Sequence, residues 1–353
     1  MATLFCVRPA TRNIGNDLIN RATSDLLQAV FGDDTAIVNI PALRETHYGG
    51  LSAAQVYDMN RFADGVVVGG GNLFENGQLS VDVQALAALH VPLMLVGMSH
   101  GRIYDRNGEY ADRTDAMAPD TIRRLAEKAS VVLVRDAGSR RILEGLGVES
   151  AQVGGCPSLF MAPNPAAHVP GERVLFSIRH PSQMCVAPEL QWRVADDIRR
   201  LLVALEDEYG PNVHLVCHDY RDIELAKGFP RTPLLYFDDV GAYVTALREC
   251  RLSISYRLHA FLPCLAFGTP SVHLSYDERG KEMLAAAGMG DWGIDLTREP
   301  DLVAAVMSRV RNVERYRELR LAAQAAIAAL HATSLAGVRR FAAIVEERNS
   351  SGR

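Results

Sequence analysis

The chain has 353 residues, 48% of them hydrophobic and 22% charged, with a formal net charge of −5. That length exceeds one ordinary α/β core and fits two domains, and the composition excludes a disordered chain except at Asn349–Arg353, which has little to bury. No isolated run of lysine or arginine stands out, so a phosphate-backbone footprint, and with it a nucleic-acid partner, is excluded.

The six cysteines (Cys6, Cys156, Cys185, Cys217, Cys250, Cys264) form no CxxC pair and have no histidine at zinc spacing. A reduced cytoplasmic protein without a metal or cofactor is the expectation. The start, Met1-Ala2-Thr3-Leu4-Phe5, lacks a charged leader and reads as a first strand. No apolar run approaches the ~20 residues of a membrane helix, although peripheral contact with a membrane stays open.

From the N-terminus, strands are expected at 4–8, 35–40, 65–68, 92–96 and 131–134, separated by helices at 17–31, 53–62, 81–89, 119–129 and 137–146. Residues 161–173, with three prolines and no periodicity, interrupt this rhythm as a linker. The alternation then restarts. Strands are expected at 174–178, 213–217, 234–237, 252–255 and 271–274, and helices at 188–208, 240–251, 258–267, 278–287 and 299–310. Two further Ala-rich helices, 314–330 and 335–347, close the chain. Continuous apolar strands alternating with amphipathic helices indicate parallel sheets covered on both faces. The fold class is therefore α/β, with two doubly wound Rossmann-like domains in a GT-B-like arrangement and a C-terminal helical segment. The divisions are 1–162, a linker at 163–173, 174–330, and a helix and tail at 331–353.

Open sheets of this kind bind ligands beyond the carboxyl ends of their strands, and that is where the chemically capable residues fall. The first strand runs into Asn13-Ile14-Gly15-Asn16-Asp17, where Asn16 or Asp17 can cap a helix and a carboxylate can orient an acceptor hydroxyl. The third runs into Gly69-Gly70-Gly71-Asn72-Leu73-Phe74-Glu75. Its glycines allow close backbone approach, and Asn72 and Glu75 suit sugar hydroxyls. It is not GxGxxG, which disfavours a Rossmann cofactor. His100 and Arg102 follow the fourth strand, and Arg135 and Asp136 the fifth. Taken one at a time, each is equally a plain turn or cap.

In the second half, Arg179 follows the first strand. The richest cluster is Ser255-Tyr256-Arg257-Leu258-His259-Ala260, followed by Ser275-Tyr276-Asp277-Glu278-Arg279-Gly280-Lys281. Arg257 and His259 open a helix whose free N–H groups favour anions. Arg279 and Lys281 bring further cations for a phosphate and a carboxylate.

Together these residues resemble the polysaccharide pyruvyl transferase family. The resemblance runs in order through Asn13–Asp17, Gly69–Asn72, Val134-Arg135-Asp136 with Ser139, Ser177-Ile178-Arg179, Arg257-Leu258-His259-Ala260, Gly268-Thr269-Pro270 and Ser275-Tyr276-Asp277. It implies a GT-B fold, phosphoenolpyruvate as donor, and a pyruvyl ketal formed on two hydroxyls of a saccharide or glycolipid. It also implies His259 as catalytic acid, in its imidazolium form, and Arg257 as donor-binding arginine. Two departures stand out: Gly155-Cys156-Pro157 where members carry Asp-Pro, and Arg279 where they carry lysine. In the mechanism this suggests, Arg257, Arg279, Lys281 and Arg179 hold the donor, while Asp17, Arg135, Asn16, Asn72 and Glu75 orient the acceptor. Gly70, Gly71 and Tyr276 complete the expected contact set. A nucleotide-sugar glycosyltransferase of the same architecture and a non-catalytic sugar-binding relative are the competing readings.

Overall fold

The computed structural model describes residues 1–10, 12–44, 48–161 and 170–351. Most of the expected linker, 162–169, lies outside them. The first domain runs β1 (Thr3–Arg8), α1 (Ile14–Phe31), β2 (Ala36–Pro41), α2 (Ala53–Phe62), β3 (Gly65–Gly71), α3 (Val83–Ala87) and β4 (Leu93–Met98). A small hairpin of β5 (Ile103–Tyr104) and β6 (Tyr110–Ala111) follows, then α4 (Pro119–Lys128), β7 (Val131–Val134), α5 (Ala137–Gly145) and β8 (Gln152–Val153). Six strands form one parallel sheet in the order β2-β1-β3-β4-β7-β8.

The second domain runs β9 (Val174–Ser177), α6 (Pro188–Tyr209), β10 (Val213–Cys217), α7 (Tyr220–Ala226), β11 (Leu234–Tyr236), α8 (Val240–Glu249) and β12 (Leu252–Ser255). It continues with α9 (Leu258–Phe267), β13 (Ser271–Ser275), α10 (Glu278–Ala286), β14 (Ile294–Asp295), α11 (Leu302–Val310) and α12 (Val313–Ser350). Its parallel sheet has the order β11-β10-β9-β12-β13-β14. Both are doubly wound sheets whose connections reverse direction once, between β1 and β3 in the first and between β9 and β12 in the second. Such reversal points leave a crevice between the loops that diverge to opposite faces.

The alternating residues of each strand sort cleanly between two faces. Phe5, Val7, Val66, Val68, Leu93 and Leu95 join one cluster of the first domain, while Leu4, Cys6, Val67, Met94 and Val96 join the other. In the second domain Val174, Phe176, Leu215 and Ile254 face α6 and α11, and Leu175 and Val216 face α8 and α9. Helix α1 serves both domains: Leu26 and Leu27 pack into the first, whereas Ile14 and Leu18 enter the core of the second.

The chain ends in one helix, not two. No glycine or proline interrupts 330–335, so nothing breaks the hydrogen-bond ladder. Its first half belongs to the second domain, where the buried Tyr316 hydroxyl donates to Thr269 O at 2.9 Å. Its second half crosses back to the first sheet. There Ser334 donates to Gly154 O at 2.7 Å, and Val338, Phe341 and Val345 complete the core over β1, β3 and β7. Gly337 permits that approach, since a Cβ there would lie 2.9 Å from Leu133 Cδ1. An 18-residue window of α12 has a mean hydropathy of 1.4, enough by length and composition to cross a membrane. No such run was expected from the sequence; Tyr316 and Leu330 of this helix join the core of the second domain and Val338, Phe341 and Val345 that of the first, while Leu321 is exposed.

Candidate active site

The carboxyl edges of the two sheets line a cleft at their two reversal points. The first domain lines it with Asn13, Asn16, Asn72, Asn76 and Arg135; the second contributes Arg179, His218, Arg257, His259, His273, Tyr276, Asp277 and Arg279.

Arg257 stands at the end of β12, as N-cap of α9. Ser255 Oγ accepts from Arg257 N at 2.7 Å and donates to Arg257 O at 2.8 Å, which pins the turn. The buried guanidinium donates through Nη2 to Asp222, while its Nε has no partner. Asp222 is itself fully buried. It also accepts from His180 N at 3.3 Å and His218 N at 3.2 Å, so one carboxylate ties together the ends of three strands.

His259 lies in the first turn of α9, and its buried Nε2 has no hydrogen-bond partner. Burial lowers its pKa to about 3, with Arg135, Arg257, Arg279 and His273 adding in the same direction. Burial and the neighbouring cations thus favour the neutral ring over the imidazolium expected from the sequence. His273 is likewise lowered to about 4 by burial.

Arg179 has no carboxylate partner among the described residues. Its Nε donates to Gln183 O at 2.6 Å, and its guanidinium lies 5.6 Å from the centre of the Tyr276 ring. Burial and the Arg257 charge both lower its pKa. Arg135 is also buried; it donates to Ser99 Oγ at 2.7 Å and leaves Nε without a partner. It was expected to orient the acceptor, yet its charge acts directly on His259 from the opposite domain.

Two expected donor cations are differently employed. Arg279 lines the cleft but is held by Asp277, with Nε to Oδ2 at 2.9 Å, and by Glu75 of the first domain. Lys281 does not reach the cleft: it pairs with Asp295 at 3.0 Å and sits 5.9 and 5.8 Å from the Tyr104 and Tyr110 rings. It therefore belongs to a separate hollow on the far side of α10.

The acceptor-side expectations divide similarly. Asn16 and Asn72 line the cleft. Glu75 does not; fully buried, it accepts from Gly101 N at 2.7 Å and holds Arg279 and Arg113. Asp17 points outward on α1, where partial burial raises its pKa, and it is not a cap. That role falls to Asn13, whose Oδ1 accepts from Gly15 N at 3.0 Å. Gly70 and Gly71 carry the positive φ angles of 92° and 84° that turn the chain out of β3. Arg102 was a cleft candidate but pairs across the domains with Glu278 at 2.6 Å.

The sequence reading missed His218, His273, Asn76 and Asp222. His218 follows a strand and obeys the same carboxyl-edge rule as the others. Asp222 sits on α7, a seven-residue helix with no clear periodic signal.

The family model described as polysaccharide pyruvyl transferase matches residues 13–278, from the loop that caps α1 to the start of α10. The chain belongs to that family. Every cleft-lining residue named above except Arg279 falls within the match. As a polysaccharide pyruvyl transferase, the protein is a transferase acting on polysaccharide. No curated relative matches the sequence. Among solved structures it is similar to S. aureus MnaA with UDP, at 14% identity over 91% of each chain and a TM-score of 0.57. It is also similar to a putative UDP-N-acetylglucosamine 2-epimerase from Listeria monocytogenes (12% identity, 90% of each chain, TM-score 0.56). A third is Glycyrrhiza uralensis UGT73P12, at 9% identity over 99% of this chain and 98% of that one, with a TM-score of 0.54. At such identities the likeness concerns the fold, which is that of GT-B-like UDP-sugar enzymes.

Proposed function

We propose that this pyruvyl transferase takes pyruvate from phosphoenolpyruvate and fixes it as a ketal on two hydroxyls of a saccharide. The observation that carries the proposal is the pair of arginines with no carboxylate partner among the described residues, Arg135 and Arg179, in a cleft where His259 has an unpartnered Nε2. Guanidinium groups so placed favour a compact polyanion, and a phosphate with a nearby carboxylate is one. Arg257, held by Asp222, supplies a third anchor at the N-terminus of α9.

Donor binding brings about three negative charges. They oppose the field of Arg135, Arg257 and Arg279, so His259 takes up a proton as the donor enters. The proton passes from His259 Nε2 to the donor's methylene, which becomes methyl. An acceptor hydroxyl oxygen bonds to C2 as its own proton is lost to the imidazole. The C2–O bond to phosphate then breaks with its electron pair, and a second hydroxyl closes the ketal, its proton leaving with phosphate. Fixing both reactants in one cleft removes much of the entropic barrier.

Phosphate release from phosphoenolpyruvate in the presence of saccharide acceptors, with mass spectrometry of the products, tests this. An added pyruvyl group is expected, and its loss in His259→Gln. Thermal stabilisation by a nucleoside diphosphate sugar but not by phosphoenolpyruvate would instead favour a glycosyltransferase.

A further inference from the structure

Ketal formation removes a proton from each of two hydroxyls, and His259 accounts for only one of them, which its ring takes up after protonating the methylene. The other proton ends on the departing phosphate. A group that carries it must lie in the cleft beside the donor's cations and keep a free lone pair.

His218 meets these conditions. It follows β10 directly, lines the cleft and is buried. Its backbone is held from both domains: N donates to Asp222 at 3.2 Å, and O accepts from Ile14 N at 3.1 Å. Burial first, then Arg257, His259 and Arg179, lower its pKa well below the ordinary histidine value, which favours the neutral ring.

Which nitrogen of that ring carries the proton follows from a proline. Helix α9 contains Pro263, four residues after His259, so the N–H that would bond His259 O in a regular helix is missing. The hydroxyl of Tyr243 on α8 replaces it, donating to His259 O at 3.2 Å. Burial raises the pKa of Tyr243, so the hydroxyl keeps its single proton, and that proton is already committed. His218 Nε2 lies 3.0 Å from the Tyr243 oxygen and 3.4 Å from Ser177 Oγ. Nε2 is then the protonated nitrogen, donating to Tyr243, and Nδ1 keeps its lone pair.

We infer that His218 is a second catalytic histidine, which carries the proton of the second acceptor hydroxyl to the departing phosphate; this rests on the pyruvyl-transfer reading. The C2–O bond to phosphate breaks, and its electron pair stays with phosphate. The second hydroxyl oxygen bonds to C2, and its proton passes to His218 Nδ1. The imidazolium so formed gives that proton to the freed phosphate. Hydrogen phosphate, the ketal and a neutral ring remain, with no proton gained or lost in the sum.

Glutamine is the substitution that tests this, since its amide can still donate to Tyr243 but cannot carry a proton. The acceptor probes are the methyl glycosides of glucose, galactose and mannose, in D2O. In His218→Gln, phosphate release should fall about a hundredfold or more, while phosphoenolpyruvate affinity by calorimetry stays within about threefold. Deuterium should still enter C3 of the recovered phosphoenolpyruvate, because protonation by His259 and addition of the first hydroxyl occur and reverse. In His259→Gln both release and exchange should vanish. Should glutamine lower the thermal midpoint, His218→Asn takes its place. Nitrogen-15 NMR of histidine-labelled protein at pH 7.5 reads the tautomer, with the His218 signals identified by their loss in the variant. Phosphate release that survives in His218→Gln, release and exchange lost together, or a His218 protonated at Nδ1 overturns the inference. Failure of phosphoenolpyruvate to bind the unaltered protein overturns the donor reading instead, and the tautomer measurement does not depend on it.

Discussion

Gly15 lies directly against His259: a Cβ on the glycine would stand 3.1 Å from both Cβ and Nδ1 of the histidine. The first turn of α1, from one domain, is thus the wall behind the ring that opens α9 in the other. Gly15 has ordinary helical geometry, so alanine is acceptable to the backbone and even favourable to the helix. We expect Gly15→Ala to leave the thermal midpoint within a few degrees while lowering turnover about tenfold, because the histidine must shift. Parallel melting and steady-state kinetics check this; unchanged turnover would mean that the ring position is not critical.

Arg179 and Lys281 should separate sharply. Arg179→Ala removes a cation without a carboxylate partner from the cleft, and phosphoenolpyruvate affinity should fall at least tenfold. Lys281→Ala breaks a contact with Asp295 in another hollow and should change that affinity less than twofold. Calorimetric titration of both variants decides the assignment.

Glu75 carries a structural charge between domains. Glu75→Gln leaves Arg279 with Asp277 alone and strips Arg113 of a buried partner. Breaking a buried pair from one side costs about 3–5 kcal/mol, so a fall of several degrees in melting temperature is expected. A double-mutant cycle with Arg279→Met should recover part of the loss.

The low pKa of His259 has two consequences of definite sign. Its folded value, about 3, lies below the ordinary 6.5, so the unfolded chain binds more protons between them. Stability is full above pH 6.5 and declines as pH falls towards 3, with His273 adding to the decline down to about 4. Each histidine contributes at most about 1.4 kcal/mol per pH unit. In His259→Gln the slope of stability against pH between 6.5 and 4.5 should be shallower by up to one proton.

Donor binding should also take up protons. At pH 7.5, titrations of phosphoenolpyruvate in buffers of different ionisation enthalpy should show net uptake, and His259→Gln should abolish it. Uptake that persists in the variant would place the proton elsewhere.

The sequence by itself determined the class of fold and the neighbourhood of the chemistry. Apolar strands alternating with helices permit little else than doubly wound sheets, and in such sheets ligand contacts gather at strand carboxyl ends. Arg179, Arg257, His259 and Asn72 were legible for that reason, because each follows its strand directly. Tertiary structure decided which of the charged candidates are free to act. Arg279 and Lys281 lie two residues apart on one helix, yet one meets Glu75 over the cleft and the other meets Asp295 behind it. No local pattern encodes that choice, since the partners stand 204 and 14 positions away along the chain. The same holds for the protonation of His259. Its residue type suggests an acid, but burial and the arginine from the opposite domain favour the neutral ring.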